Sequence, residues 1–369
     1  MKIKRYYTLM AGALLISSSI LAQKKESTLV DVKPTSQVVD ATTQSLTYML
    51  PKTSIRVDIE MEKTIKKAGP YYRYSQRYLN LSNVITEDSE EWVIKGVHIH
   101  TSGKADEDKR FSIFTKGNTS AQMLTLTPEG ILAGINTSLP FSTQLPPKEQ
   151  HPILSLDEID FDNVALNEEL LYKTSSAAMA QEAANMVYRL RSTRTNLLSG
   201  ELENLPPDGE AYNTILKEIE KQEKDFVSLF AGKTITVSLT RSFELTPDPL
   251  SSYTNHVLCR FNQQKGLVDA MDITGTPIYF KMDVEKMKVL KNNSSERSKD
   301  PAPNGLFYNL PAPATITIVD KNTTIASKKV KLAQYGQVIS MPPSVLSKES
   351  VVIEICPKTG ALLSVSKQQ

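Results

Sequence analysis

Of 369 residues, only two are cysteine, four are histidine and one is tryptophan, and glycine is sparse at 15. Each shortage closes a class. Two cysteines, Cys259 and Cys356, cannot build a disulfide scaffold or a thiolate zinc site. No glycine cluster forms a phosphate-cradling loop or a dinucleotide fingerprint, and neither a Gly-x-Ser-x-Gly elbow nor a His-Glu-x-x-His helix occurs. No motif therefore asks for a cofactor. No apolar run approaches the roughly 20 residues that cross a bilayer, so no membrane span is expected. The formal charge is +2 with no basic run, which leaves no electrostatic footprint for nucleic acid.

What is present begins with an address. Lys2, Lys4 and Arg5 precede the apolar run Leu9 to Ile16, then small residues Ser17 to Ser19 and a cut site after Ala22, the order of a cleavable signal peptide over residues 1–22. The first cysteine is Cys259, so no lipid anchor is expected at that cut. The chain reads as exported, periplasmic or cell-surface, and soluble. Cleavage would remove three positive charges and leave about −1.

Residues 23–45 are polar, lack periodicity and read as a flexible leader. From Ile55, apolar Val57, Ile59 and Met61 alternate with Arg56, Asp58, Glu60 and Glu62, the period of a half-buried strand. Strands are expected at 92–99 and 110–114, with a hairpin over 124–135 turning at Pro128-Glu129-Gly130. Residues 46–137 thus form an N-terminal β-rich domain, and the proline-rich 138–165 a linker or surface loop. Met179, Ala183, Met186, Val187, Leu190, Leu197 and Leu198 recur at helical spacing. A second stripe, Tyr212, Leu216, Ile219, Phe226, Leu229 and Phe230, runs between an Asp208 cap and a Gly232 stop. Residues 166–232 are read as a helical hairpin and 233–369 as a C-terminal β-domain. The fold class expected is α+β: two β-rich, sandwich-like domains with an inserted long antiparallel helical hairpin. Tyr48-Met49-Leu50-Pro51 recurs as Tyr308-Asn309-Leu310-Pro311, each with a later Pro-turn-Gly hairpin, which reads either as duplicated β-units or as the common use of proline to start strands.

Four groups are candidates for function. His98 and His100, two apart on a strand, share a face and could present two metal ligands, with a third from His151, His256 or Asp106-Glu107-Asp108. The competing reading is a half-buried sheet with histidines at its wetter end. Tyr71, Tyr72, Tyr74 and Tyr78 offer rings with polar tips suited to a sugar or peptide, or else pack inward or face a partner. Cys259 and Cys356 lie in apolar stretches that could be adjacent strands, as a disulfide or as two buried thiols. Arg189, Arg191 and Arg194 form a basic helix face that meets an acidic partner or is merely wet. Adjacent acids at Glu90-Glu91, Asp157-Glu158 and Glu168-Glu169 lie in polar ground, where charge runs are usually surface.

Several strings carry a resemblance. They are Tyr48-Met49-Leu50-Pro51-Lys52-Thr53, Tyr74-Ser75-Gln76-Arg77-Tyr78-Leu79, Gly130-Ile131-Leu132-Ala133-Gly134-Ile135-Asn136, the Leu229-Phe230-Ala231-Gly232 helix end, and Cys259-Arg260-Phe261 with Gly266-Leu267. Through them the chain resembles the uncharacterised exported Bacteroidetes family known as domain of unknown function 4831, over nearly its whole mature length. It departs at Ala312, where a glycine is expected, and at Asn262-Gln263-Gln264-Lys265. The resemblance implies a Gram-negative envelope setting and transfers no functional residue. The function expected is a non-catalytic binding or interaction protein of the envelope, with an envelope protein, glycan or peptide as partner. The alternative is a carbohydrate- or peptide-directed hydrolase whose site is assembled from distant residues.

Overall fold

The alternation at Ile55 belongs to a strand far longer than one core requires. Ile55, Val57, Ile59 and Met61 are at most 2 % exposed. They lie in β2 (Ser45–Lys67), which pairs antiparallel with β3 (Ser89–Thr115). At about 3.3 Å per residue such a strand reaches ~75 Å. The expected strands at 92–99 and 110–114 are one strand. The polar stretch between them looks like a loop in sequence, but it is held by pairing with Leu50–Ser54 of β2. The computed structural model describes residues 30–34, 45–115, 124–137, 154–164, 172–200, 209–288, 305–346 and 351–367. The signal-peptide reading of 1–22 lies outside the described residues.

The other elements are β1 (Val30–Pro34), a 3-10 turn at Tyr72–Tyr74, α1 (Ser75–Leu79), β4 (Leu124–Leu126), β5 (Leu132–Ile135), α2 (Ser176–Ser199), α3 (Gly209–Ala231), β6 (Lys233–Leu245), β7 (His256–Asn262), β8 (Gly266–Val268), β9 (Thr276–Val284), β10 (Leu306–Asp320), β11 (Thr323–Met341), α4 (Pro343–Leu346), β12 (Val351–Ile355) and β13 (Leu362–Lys367). Strand β1 falls inside the stretch read from sequence as a leader. Among the described residues, no helix is long and apolar enough to cross a membrane.

The strands form three antiparallel sheets, ordered β1-β3-β2-β6, β11-β10-β9-β7-β8 and β13-β12-β5-β4. This corrects the α+β expectation of two sandwich-like domains separated by an inserted helical hairpin. Of the described residues 52 % are in strands and 23 % are helical, and the sheets do not respect sequence order. Strand β6, which follows the helices, pairs with β2 from Lys67 to Ile55. Strand β12 pairs with β5. The physical reason is that alternation fixes which face of a strand is buried and says nothing about which distant strand it pairs with.

Three cores result. Ile55, Val57, Ile59, Met61, Trp92 and Ile99 of the first sheet meet Ile278, Phe280, Ile316, Ile318 and Leu332 of the second. Tyr48, Leu50, Phe111 and Ile113, further along the same ribbon, meet Leu132, Ile135, Leu306, Ile353 and Ile355. The helices bury Ala180, Ala183, Ala184, Val187, Phe226, Leu229 and Phe230 with Leu79 and Val164. Helix α2 starts on the Ser175 side chain, which accepts from the Ala178 amide, and stops at Gly200 (φ 74°). Gly232 (φ 85°) ends α3 as its sequence suggests.

The two Tyr-x-Leu-Pro strings occupy corresponding positions. The Met49 amide donates to the Gly130 carbonyl at 3.0 Å, and the Asn309 amide to the Gly360 carbonyl at 2.8 Å. Each forms an isolated parallel bridge to the residue after the turn glycine, Ile131 or Ala361. Gly130 (φ 80°) and Gly360 (φ 69°) both adopt the left-handed conformation that favours glycine. The pairing of β2 with β3 shifts between Met49 and Leu50, and that of β10 with β11 between Leu310 and Ala312.

Candidate functional site

Between Ile55 and Met61, β2 builds the first core with its odd-numbered residues and presents its even-numbered ones to the opposite face. There Asp58 is paired in register with His98, and Arg56 with His100. The sequence pattern predicts a solvated face, yet Arg56 is 5 % and Asp58 7 % exposed. Nε and NH2 of Arg56 donate to one oxygen of Asp58, at 3.1 and 2.9 Å. The other oxygen, Oδ1, is buried with no hydrogen-bond partner among the described residues. His100 Nε2 stands 3.5 Å from Asp58 Oδ2, and His98 Nε2 lies 3.2 Å from Glu60 Oε1. Lys95 and Glu62 add a further pair at 2.9 Å.

Beside this row, Val97, His98, Ile99 and His100 of β3 face Ala326, Ser327 and Lys328 of β11 across an open cleft of about 250 Å³. The Lys328 ammonium crosses it and donates to the Ile99 carbonyl at 2.6 Å. Burial holds the His100 imidazole below its ordinary pKa; Asp58 pulls it up, while Arg56, Lys328 and His98 push it further down. His98 and Glu60, with side chains 56 % and 49 % exposed, are the members a ligand would meet first. The arrangement can offer a polar ligand alternating donors and acceptors along one strand pair, backed by a fixed charge pair.

The structure gives each histidine its own carboxylate and does not bring a third expected ligand to them. His256 packs edge-on against Tyr253 and Phe280, and Asp106 is paired with Lys52 at 2.9 Å. His151 lies outside the described residues. Among the described residues, no group of three or more His, Cys, Asp or Glu side chains is placed to hold a metal ion.

The tyrosines stand elsewhere. Tyr71, Tyr74 and Tyr78 pack against the helical core, with Tyr71 on Phe230 at 5.7 Å and Tyr74 stacked on Tyr78 at 6.0 Å. Tyr72 accepts a hydrogen bond from Arg73 at its hydroxyl. The segment carries the helices: the Tyr71 amide donates to the Leu229 carbonyl and the Tyr188 hydroxyl to the Tyr78 carbonyl.

Cys259 and Cys356 are both free thiols, one in β7 and one just after β12, in different sheets. Burial pushes the Cys259 thiol up to about 12, so it serves as a small apolar side chain. Arg191 and Arg194 both bind Glu223 of α3, at 2.7 and 2.8 Å, so much of that basic face is neutralised within the helix pair. Glu90 binds Lys63 at 3.1 Å and accepts from the Leu156 amide; Glu158 accepts from Ser155 in its own turn. Glu168 and Glu169 lie outside the described residues.

Sequence reasoning found the histidines and missed Arg56, Asp58, Glu60 and Lys328. The signal for the first three was in view, as charges at every second position opposite a strand with two histidines. What it lacked was the register that sets Asp58 against His98. No curated protein and no solved structure gives a significant match to the chain. Residues 44–363 match the family model described as Domain of unknown function (DUF4831), and the chain belongs to that family.

Proposed function

We propose that the chain is an exported, non-catalytic binding or interaction protein of a bacterial envelope, of the Bacteroidetes kind that its resemblance suggests. The observation that carries the binding reading is the row on the face of β2 and β3 opposite the core, where the exposed Glu60 and His98 and the partly exposed His100 are backed by the buried pair Arg56 and Asp58, beside the cleft. Asp58 is committed to Arg56 and Glu60 to His98, an arrangement suited to fixed recognition of a polar ligand more than to proton transfer. Export is supported by the charged, apolar and small-residue order of residues 1–22. An envelope contains glycans and peptides, and both present the hydroxyl and amide groups that such a row can bind.

The test is a thermal-shift screen of the chain from residue 23 against glycans, peptidoglycan fragments and peptides. A ligand that binds only the folded state raises the midpoint. A reproducible rise that is lost in the exposed-site variant Glu60→Ala/His98→Ala is the expected result. A rise unaffected by that variant, or conversion of the ligand to new products, would overturn the assignment.

A further inference from the structure

Residues 30–34, Val-Asp-Val-Lys-Pro, alternate apolar and polar and then end on a proline, the pattern of a short edge strand. As β1 they pair antiparallel with the outer edge of β3, Val30 opposite Thr115 and Pro34 opposite Phe111. In the sheet order, β1 is the neighbour of β3 on the side away from β2, and it covers only the Phe111–Thr115 end. Val32 is fully buried in the core that holds Phe111, Ile113 and Leu346, and α4 lies against the same strand. The slot thus has a backbone ladder to pair with and a cup for one β-branched side chain, the two elements of recognition by strand addition.

Residues 35–44 join β1 to β2. Pro34 stands opposite Phe111 on one side of β3, and Ser45 opposite Phe114 on the other. Two strand spacings and three residues of offset separate them by ~14 Å, while ten residues reach roughly 33 Å. The chain between them therefore has roughly 19 Å of reach beyond what pairing with its own β3 requires. Exchange between two copies restores every contact on both sides, because donor and slot are the same in each.

We infer that the β3 edge at Phe111–Thr115, with the cup that Val32 fills, is a strand-exchange site whose partner is a second copy of this chain, residues 30–34 of one copy pairing with β3 of the other. The occupant is named by the structure itself, since this segment is the one shown to fit. The inference is independent of any ligand at the histidine row.

Lys33 and Ser112 are direct partners across the ladder, where Cα separations of about 4.5–5.5 Å suit a disulfide. In a full-length background with Cys259→Ala and Cys356→Ala, one chain carries Lys33→Cys and a second carries Ser112→Cys. The two are mixed, warmed and oxidised mildly, then run on a non-reducing gel. A covalent heterodimer that disappears when Val32→Asp is added to the first chain is the expected result. A chain carrying both cysteines should close its own disulfide when dilute. If it closes while the mixture gives no heterodimer, the strand does not exchange; if it does not close, the strand is not seated as described. Either outcome overturns the inference.

Discussion

Replacing Asp58 by leucine leaves the Arg56 guanidinium, with a side chain 6 % exposed, without the carboxylate that holds it at 2.9 Å. Removing one partner of a buried pair costs about 3–5 kcal/mol, because the remaining charge stays out of water unpaired. Arg56 lies on an outward face with the partly exposed His100 beside it, so some hydration is recoverable and about 3 kcal/mol is expected. In urea this lowers the midpoint by roughly 1 M or somewhat more, with an unchanged slope. The double variant Arg56→Met/Asp58→Leu removes both charges and fills the row with apolar atoms, so it should return to within about 1 kcal/mol of the parent. Equilibrium urea unfolding followed by Trp92 fluorescence measures all four members of the cycle. A loss below about 1 kcal/mol for Asp58→Leu, or a double variant as unstable as the sum of its singles, would refute the claim that this pair is buried and mutually dependent.

The Tyr48 hydroxyl accepts from the Phe307 amide at 2.9 Å and donates to its carbonyl at 3.3 Å, and burial raises its pKa. Tyr48→Phe should cost about 1–3 kcal/mol in the same assay by leaving both backbone groups without a partner; a neutral result would mean that the two ribbons do not meet there. Gly103 lies where a Cβ would overlap the Pro357 carbonyl, so Gly103→Ala should destabilise by about 1–3 kcal/mol through overpacking, and an unchanged midpoint would sink that contact. His100 has a lowered pKa, so the folded state binds its proton less readily than the unfolded state. Its contribution to stability is complete above its ordinary value of 6.5 and is lost as pH falls from there toward the folded value. His100→Gln should flatten that part of the stability curve, and an unaltered slope between about pH 7 and 5 would count against the assignment.

Local pattern made some of this legible and long-range pairing hid the rest. The alternation Ile55, Val57, Ile59 and Met61 located a core face, and Gly130 and Gly232 marked a turn and a helix stop, because each of these is decided by neighbours in sequence. The antiparallel partner of β2 is not so decided. Thr234, Thr236 and Ser238 of β6 could sit on any sheet with a polar side, and nothing local says that they line up with Lys66, Thr64 and Glu62. The same gap explains the site. His98 and His100 were visible as two residues on one face, but which groups faced them depended on the register of a strand more than thirty residues away. It also explains the tyrosines: Tyr74 and Tyr78 are one helical turn apart in sequence, and their packing role follows from helices that arrive a hundred residues later.

Core and candidate site share one strand, and this constrains both. A slip of one residue in β2 would turn Ile55, Val57, Ile59 and Met61 outward and drive Arg56, Asp58, Glu60 and Glu62 into the core, so the burial of the first set fixes the placement of the second. The outward row is therefore positioned by apolar contacts in which it takes no part. His98 and Glu60 can change without disturbing the packing beneath them, whereas Arg56 and Asp58 can change only together. The exposed pair therefore tolerates substitution one residue at a time, and the buried pair does not.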